Sequence, residues 1–198
     1  MSVERIFFVS LLVTLVLAWN HWEKRPVTHG PGVLVSYAPE QKDVLERRFE
    51  FKGFELTARA SFELQARVLS RLDYRFDPGA ALSPTDLALG WGPMSDEAVL
   101  EQLRLSQGGR FYQLRWDQPP SISETEIITH SSNMHIIPAN DTVHDALDSL
   151  KKGQVVHLQG YLVDAASSDG FRWSTSLSRT DTGNGACELF YVERLISY

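Results

Sequence analysis

The sequence predicts an α+β domain built mainly on antiparallel sheet, with two or three short helices, behind one apolar N-terminal helix. The strand evidence is strongest at residues 54–68, where apolar and polar residues alternate strictly. Residues 154–196 add three strand-like stretches separated by turns. The helix evidence comes from residues 143–150, where apolar side chains recur at i, i+3, i+4 and i+7.

The N-terminal apolar run is interpreted as a transmembrane helix. Over residues 6–19 it would be roughly 21 Å long, short for a hydrocarbon core of about 30 Å. Extended to Trp22, the segment 6–22 reaches the lower limit for a spanning helix, with tryptophan at the interface. The alternative is a cleaved signal peptide with its apolar region at residues 6–17. Because no polar spacer precedes a cleavage site and Arg5 is the only basic residue of the leader, the sequence favours an uncleaved anchor.

The orientation of this anchor is less strongly specified. Arg5 precedes it while Lys24 and Arg25 follow it, so the positive-inside count favours a cytoplasmic domain. Short N-terminal anchors commonly translocate the chain that follows them. We therefore expect the globular domain on the extracytoplasmic side.

Composition divides the chain into three regions: the anchor at residues 1–22, a Pro- and Gly-containing tether or entry region at 23–53, and a single globular domain at 54–198. The 198 residues are 43% hydrophobic, which argues against disorder. The net charge of −6 argues against nucleic-acid partners, because binding them depends on neutralising phosphates. Cys187 is the only cysteine, so no intrachain disulfide can form.

The remaining elements follow in chain order. Ser83-Pro84 predicts a short helix or turn, and Ser95 is the expected cap of a second helix. Asn140 or Asp141 is the expected cap of the third helix. The other predicted strands lie at residues 111–116, 154–165, 171–177 and 186–196, with an interrupted extended stretch at 127–137. The order is β-α-α-β-β-α-β-β-β, and such a sheet can curl into a partial barrel resembling the oligonucleotide/oligosaccharide-binding fold.

The first candidate site is the segment GWGPMSD at residues 90–96. Trp91 could face a ligand beside a helix N-terminus, where an anion would bind. Alternatively, the segment is a tight turn and Trp91 fills the core, which is the favoured interpretation.

The second candidate site is the segment HSSNMH at residues 130–135. In a strand, Ser131, Asn133 and His135 share one face and could point into a cleft. A metal site is not expected because no third ligand lies at a typical spacing. A hydrogen-bonded structural histidine is the favoured interpretation of His135.

The third candidate site is the segment RTDTGNGACE at residues 179–188. Asp181 and Asn184, among glycines, could form an anion-binding nest, but the same residues suit a hairpin loop. Cys187 could be a nucleophile with His135 as base and Asp181 or Asn133 as the orienting group. A small cysteine that fills a sheet core is the favoured alternative.

The sequence lacks the common catalytic signatures. It contains no Gly-rich phosphate loop, nucleophile elbow, paired-cysteine metal site or His-Glu metalloprotease motif. This absence argues against the common enzyme classes, and no cofactor is expected.

Four strings, ARVLSRLDYRF, DLALGWGPMSD, SSNMHIIPA and RTDTGNGACELFYVE, resemble an uncharacterised family of small membrane-anchored proteins from Gram-negative bacteria. The resemblance covers about residues 67–193. It implies bacterial origin and an N-terminal anchor, and it brings no activity, cofactor or catalytic residue.

These observations lead to one function hypothesis and one alternative. The hypothesis is a single-pass protein of the bacterial inner membrane, with a non-enzymatic domain that binds an envelope protein or a glycan-like ligand. Its contact surface would include Trp91, Asn133, His135, Asp181 and Asn184. The alternative is a membrane-tethered hydrolase or transferase with a Cys187 nucleophile.

Overall fold

The computed structural model describes residues 5, 7–15, 25–181, 183 and 185–198. The strands in these residues are β1 (Glu40–Phe51), β2 (Phe54–Asp73), β3 (Thr85–Gly90), β4 (Arg104–Gly108), β5 (Phe111–Arg115), β6 (Ser131–Pro138), β7 (Val155–Ala166), β8 (Arg172–Trp173) and β9 (Glu188–Ser197). The helices of the folded domain are α1 (Glu97–Leu100), α2 (Glu124–Thr129) and α3 (Asp141–Ser149), and a 3-10 turn at Gly92–Ser95 precedes α1.

The long strand β2 contacts three other strands. It pairs with β1 and then β3 along one edge, and with β7 along the other. Its even-numbered residues from Leu56 to Val68 are all buried, as the alternating pattern predicts. The strand predicted at residues 54–68 is therefore confirmed, and it continues to Asp73.

Five strands close into a ring. Antiparallel pairings join β2 to β3, β3 to β6, β9 to β7 and β7 back to β2, while a parallel pairing joins β6 to β9. Apolar side chains fill the ring, among them Phe62, Leu87, Met134, Leu158 and Phe190. Because the sheet is mostly antiparallel and the helices are few and short, the predicted α+β class is confirmed.

The chain between β3 and β6 folds back over the outside of this ring. Hairpin β4–β5 and helices α1 and α2 pack there on an apolar cluster that includes Met94 and Ile127. Ala88 of β3 joins this outer cluster, whereas Leu87 and Leu89 face the inside of the ring. Strand β3 is therefore covered on both faces, and all of its residues are buried.

Residues 27–35 form a strap that is hydrogen-bonded to the domain. The Val27 N–H donates to the Lys152 carbonyl oxygen at 2.8 Å. The Val35 N–H donates to Ser95 Oγ at 3.1 Å, and the Val35 side chain is buried in the core. This part of the expected tether is docked on the domain.

Residues 40–51, which the sequence assigns to the tether or entry region 23–53, form strand β1. The strand pairs with β2 in an antiparallel register that begins at Glu40 and Glu63. Most β1 side chains are exposed, so no apolar alternation marks the strand in the sequence. This corrects the assignment for these residues.

The N-terminal segment is helical over residues 7–15. Residues 16–24 and Ile6 lie outside the described residues, so the expected anchor at 6–22 falls partly outside them. Within the described residues, no helix has the length and apolar character needed to cross a membrane.

Two expectations near the second helix are wrong. The sequence predicts that a helix or turn starts at Ser83-Pro84, but the residues that follow form β3. Both faces of this strand are buried. The cap of α1 is Asp96, whose side chain accepts a hydrogen bond from the Ala98 N–H at 2.9 Å. Ser95 instead accepts hydrogen bonds from the strap.

The later elements agree better with the sequence. Asn140 caps α3 by accepting from the Val143 N–H at 3.0 Å, and β5, β7 and β9 lie where strands are predicted. The extended stretch expected at 127–137 is α2 followed by β6, because a capping box at Ser123 starts a helix. The strand expected at 171–177 is reduced to the short β8.

Candidate functional site

A cleft opens between hairpin β4–β5 and the loop that precedes β9. Its volume is about 370 Å³, within the range of about 300–1,000 Å³ typical of ligand pockets. Strand β5 and Trp116 line one side, α2 lines one end, and β6 with residues 178–181 and 186–188 lines the other side. The two long sides have different chemistry.

The hairpin side of the cleft is aromatic. Phe111 and Trp116 are 39% and 36% exposed, so both rings can contact a ligand. The Tyr112 hydroxyl lies 2.9 Å from Ser131 Oγ, which ties this wall to β6. Burial raises the pKa of Tyr112, so its hydroxyl remains protonated at neutral pH.

The opposite side of the cleft is polar. We call its residues Ser132, Arg179 and Glu188 the polar floor. Glu188 is 1% exposed, accepts a hydrogen bond from Ser132 Oγ, and forms an ion pair with Arg179. Burial raises the pKa of Glu188, although Arg179 and Ser132 act in the opposite direction. Arg179 Nε has no hydrogen-bond acceptor among the described residues. The cleft thus has a carboxyl and a guanidinium group beneath an aromatic wall.

Arg110, at the tip of the hairpin, fastens the hairpin to the ring. Its guanidinium lies 2.8 Å from Asp86 Oδ1 through Nη1 and 2.8 Å from Asp77 Oδ1 through Nη2. The same group lies over the Tyr74 ring at 3.8 Å, and the Arg110 N–H donates to the Tyr74 hydroxyl at 3.0 Å. We call these four residues the Arg110 clamp. It fixes the position of the aromatic wall.

Asn133 lines the cleft, but its side-chain amide is already occupied. Its Oδ1 accepts from Gln107 Nε2 at 2.8 Å, and its Nδ2 donates to the Arg110 carbonyl oxygen at 3.1 Å. Asn133 therefore holds the hairpin in place and leaves little hydrogen-bonding capacity for a ligand.

His135 lies behind the cleft and does not line it. It is 3% exposed, its Nδ1 lies 2.8 Å from Asp86 Oδ1, and its ring packs against Trp173 at 4.6 Å between centroids. The expectation that Asn133 and His135 share a face is met, since both contact Asp86. The sequence predicts Asp181 or Asn133 as the group that orients His135. The carboxylate that His135 contacts is that of Asp86.

Cys187 lines the cleft as a half-buried thiol. Its Sγ donates a weak hydrogen bond to the Arg110 carbonyl oxygen at 3.7 Å. Burial, and then the neighbouring Glu188 carboxylate, raise the pKa of Cys187 to about 11. Among the described contacts, no hydrogen bond joins Cys187 to His135. These properties favour the protonated thiol over the thiolate that a nucleophile requires.

The other predicted site residues are dispersed. Trp91 is 2% exposed within the core, so its assignment to a contact surface is corrected in favour of core packing. Asp181 does line the cleft and accepts a hydrogen bond from Ser176 Oγ at 2.6 Å. Asn184 lies outside the described residues.

Sequence reasoning missed Asp86, Arg110 and the role of Glu188. Each of the two carboxylates stands immediately before an apolar run, in TDLALG and in ELFYV, and a charge at the start of such a run was the available signal. Arg110 carried no comparable signal because its partners lie on other elements. Among the described residues, no three His, Cys, Asp or Glu side chains gather in a metal-binding group.

Comparisons of the chain with protein-family models, with curated proteins and with solved structures found no match in any of the three. The geometry of the cleft is therefore the basis for assigning a function.

Proposed function

We propose that this chain is a single-pass inner-membrane protein of a Gram-negative bacterium whose extracytoplasmic domain is a non-enzymatic binding module. The cleft is its ligand site, and the ligand is a segment of an envelope protein or a glycan-like molecule. The apolar run at residues 6–22 supplies the anchor.

One observation carries this proposal: the cleft combines exposed aromatic rings with polar groups, one of which, the Glu188 carboxyl, is buried. Apolar contact area with a few placed polar groups is the usual composition of a ligand pocket. Phe111 and Trp116 supply the rings, while Ser132, Arg179 and Glu188 supply the polar groups. A ligand with both apolar faces and hydrogen-bonding groups fits this composition.

The strand ring supports the proposal by analogy. We propose that it is a barrel of the oligonucleotide/oligosaccharide-binding type, which has five strands. That fold binds ligands on the face of its second and third strands and at the loop between the fourth and fifth. The corresponding parts here are β3, β6 and the chain between β7 and β9, and the last two of these line the cleft. This correspondence is a fold-level analogy and is secondary to the site itself.

The hydrolase or transferase alternative has less support. A thiol with a pKa of about 11 carries almost no thiolate at neutral pH, and His135 is engaged with Asp86. The binding hypothesis requires no activated nucleophile.

The proposal is tested by titrating the full-length chain, in detergent micelles, with a panel of neutral and amino-bearing oligosaccharides and with a pool of random decapeptides. We expect binding by at least one class, weakened at least tenfold by Trp116→Ala and unchanged by Phe76→Ala. Phe76 is 98% exposed and does not line the cleft, so it is a matched aromatic control. Binding that Trp116→Ala leaves intact, or no binding by either class, would contradict the proposal.

A further inference from the structure

The backbone of β5 has hydrogen-bonding groups that no other described residue pairs with. The hairpin turns through Gly109 (φ 57°) and Arg110 (φ 70°), a two-residue turn in which both residues have positive φ. The flanking residues Gly108 and Phe111 therefore exchange hydrogen bonds with each other. Along an antiparallel strand, residues that hydrogen-bond to the partner strand alternate with residues that do not. The N–H and C=O groups of Tyr112 and Leu114 therefore point away from β4, to the other edge of β5.

This edge of β5 borders the cleft. Tyr112 and Leu114 both line it, whereas no residue of β4 does. Strand β4 forms the other side of the hairpin and contacts β2. Hairpin β4–β5 forms a sheet of two strands in the described part of the chain, so its β5 edge has no neighbouring strand there. Such an edge is a template for another strand.

The rim of the cleft is acidic. Glu124 and Asp181 are exposed carboxylates at its border, and Glu188 adds a third carboxyl group in the floor. Arg179, the basic residue among those that line the cleft, is paired with Glu188. The chain as a whole has a net charge of −6. This charge favours an occupant with basic or neutral side chains and disfavours an anionic one.

We propose that the cleft receives an extended peptide segment, in which apolar residues alternate with neutral or basic ones, as a third strand on β5. This inference rests on the proposed function, in which the cleft is the binding site, and it names the partner class. Backbone groups of the peptide pair with Tyr112 and Leu114. Its apolar side chains contact the aromatic wall, and its basic side chains approach Glu124 and Asp181.

The free backbone groups favour a peptide over a glycan. A strand edge offers a donor and an acceptor at every second residue, which is the spacing of the complementary groups on another strand. Sugar hydroxyl groups do not repeat with that period. The cleft volume of about 370 Å³ restricts the buried part of the peptide to a short segment.

The test uses a displayed library of random decapeptides selected on the full-length chain in detergent micelles. The selected sequence is synthesised, and each of its backbone nitrogens is methylated in turn. We expect methylation to weaken binding at least tenfold at every second residue of the bound segment and less than twofold at the residues between. We also expect amide hydrogen exchange to slow at Tyr112 and Leu114, while that of Gln113, already paired with β4, does not change.

Two results would overturn the inference alone. One is a selected peptide whose affinity responds to methylation without a period of two. The other is the absence of any selected peptide while oligosaccharides bind the cleft, which would leave the proposed function intact. If neither class binds, the inference and the proposed function both fail.

Discussion

At the scale of single residues, Arg110 connects separate parts of the molecule through both its side chain and its backbone. Its guanidinium bridges Asp86 of β3 and Asp77 of the β2–β3 connection. Its carbonyl oxygen accepts hydrogen bonds from Asn133 and Cys187. The position of the cleft's aromatic wall therefore depends on this residue.

We expect Arg110→Ala to lower the free energy of unfolding by about 3–5 kcal/mol, because the fully buried Asp86 carboxylate would lose its charged partner. Arg104→Ala is the matched control: it removes an exposed ion pair with Asp117 at the other end of the hairpin and should cost less than about 1 kcal/mol. Urea unfolding of the two variants gives the comparison. Equal losses would show that the Arg110 clamp does not carry the stability assigned to it.

Cys187 provides a pH-dependent prediction. Because the pKa of its thiol is raised to about 11 in the folded chain, the reactive thiolate is scarce at neutral pH and increases with pH up to that value. The alkylation rate of the native chain should rise about tenfold per pH unit from pH 7 to 10. The denatured chain should label faster at each of these pH values. A native rate that levels off below pH 8 would instead favour the nucleophile hypothesis.

Local composition identified some residues of the site and missed others. Asp181 and Cys187 belong to a polar, glycine-containing segment that stands out in the sequence, and both line the cleft. Asp86 and Arg110 were missed because their importance comes from their contact with each other and from the contact of Asp86 with His135 across the fold. A pattern along the chain contains no information about such a contact.

At the scale of elements, the strap at residues 27–35 connects the N-terminal region to the domain. Gly153 has φ +92°, and a Cβ atom there would lie 1.8 Å from the Val27 carbonyl oxygen. The backbone of the strap thus passes where only glycine leaves room.

We expect Gly153→Ala to destabilise the domain more than Gly170→Ala. Gly170 has nearly the same φ, +95°, but open space around it, so its substitution measures backbone strain alone, about 1–2 kcal/mol. The additional loss at Gly153 measures displacement of the strap. Urea unfolding and proteolysis within residues 27–35 provide the readouts. Equal losses for the two variants would mean that the strap contributes nothing measurable.

The elements that the sequence predicted are strands with one solvent-exposed face and helices with one apolar face. Strand β2 and helix α3 have such patterns, and both form where expected. Strand β3 was missed because both its faces are covered, which removes the alternation. Strand β1 was missed because most of its side chains are exposed. In both strands, the two faces have similar burial, so neither strand shows the apolar–polar alternation that marks a strand in the sequence.

At the scale of the whole molecule, the fold class was predictable but the strand order was not. The ring closes through β2 and β7, in a register that begins with Glu55 opposite Ala166. Residues so far apart in sequence are paired by the packing of the complete core. The sequence could indicate a mostly antiparallel sheet, but not which strands are neighbours.

The proposed anchor at residues 6–22 is tested on the whole molecule. We expect the full-length chain to stay in the membrane fraction after an alkaline carbonate wash, and a chain that lacks residues 1–22 to be released. Protease added outside intact spheroplasts should degrade the domain if it is extracytoplasmic. Release of the full-length chain by carbonate would contradict the anchor, and protection from protease would contradict its orientation.

Filling the cleft between the hairpin and the loop before β9 shows whether this cleft is the ligand site. Ala186 is a half-buried residue of the cleft, and Ala98 is an exposed residue of α1 outside it. The measurement is the affinity of the full-length chain, Ala186→Trp and Ala98→Trp for the oligosaccharide panel and the random decapeptides. The prediction is that Ala186→Trp loses at least tenfold in affinity for whichever class binds, while Ala98→Trp binds like the unmodified chain. Undiminished binding by a correctly folded Ala186→Trp chain would contradict it.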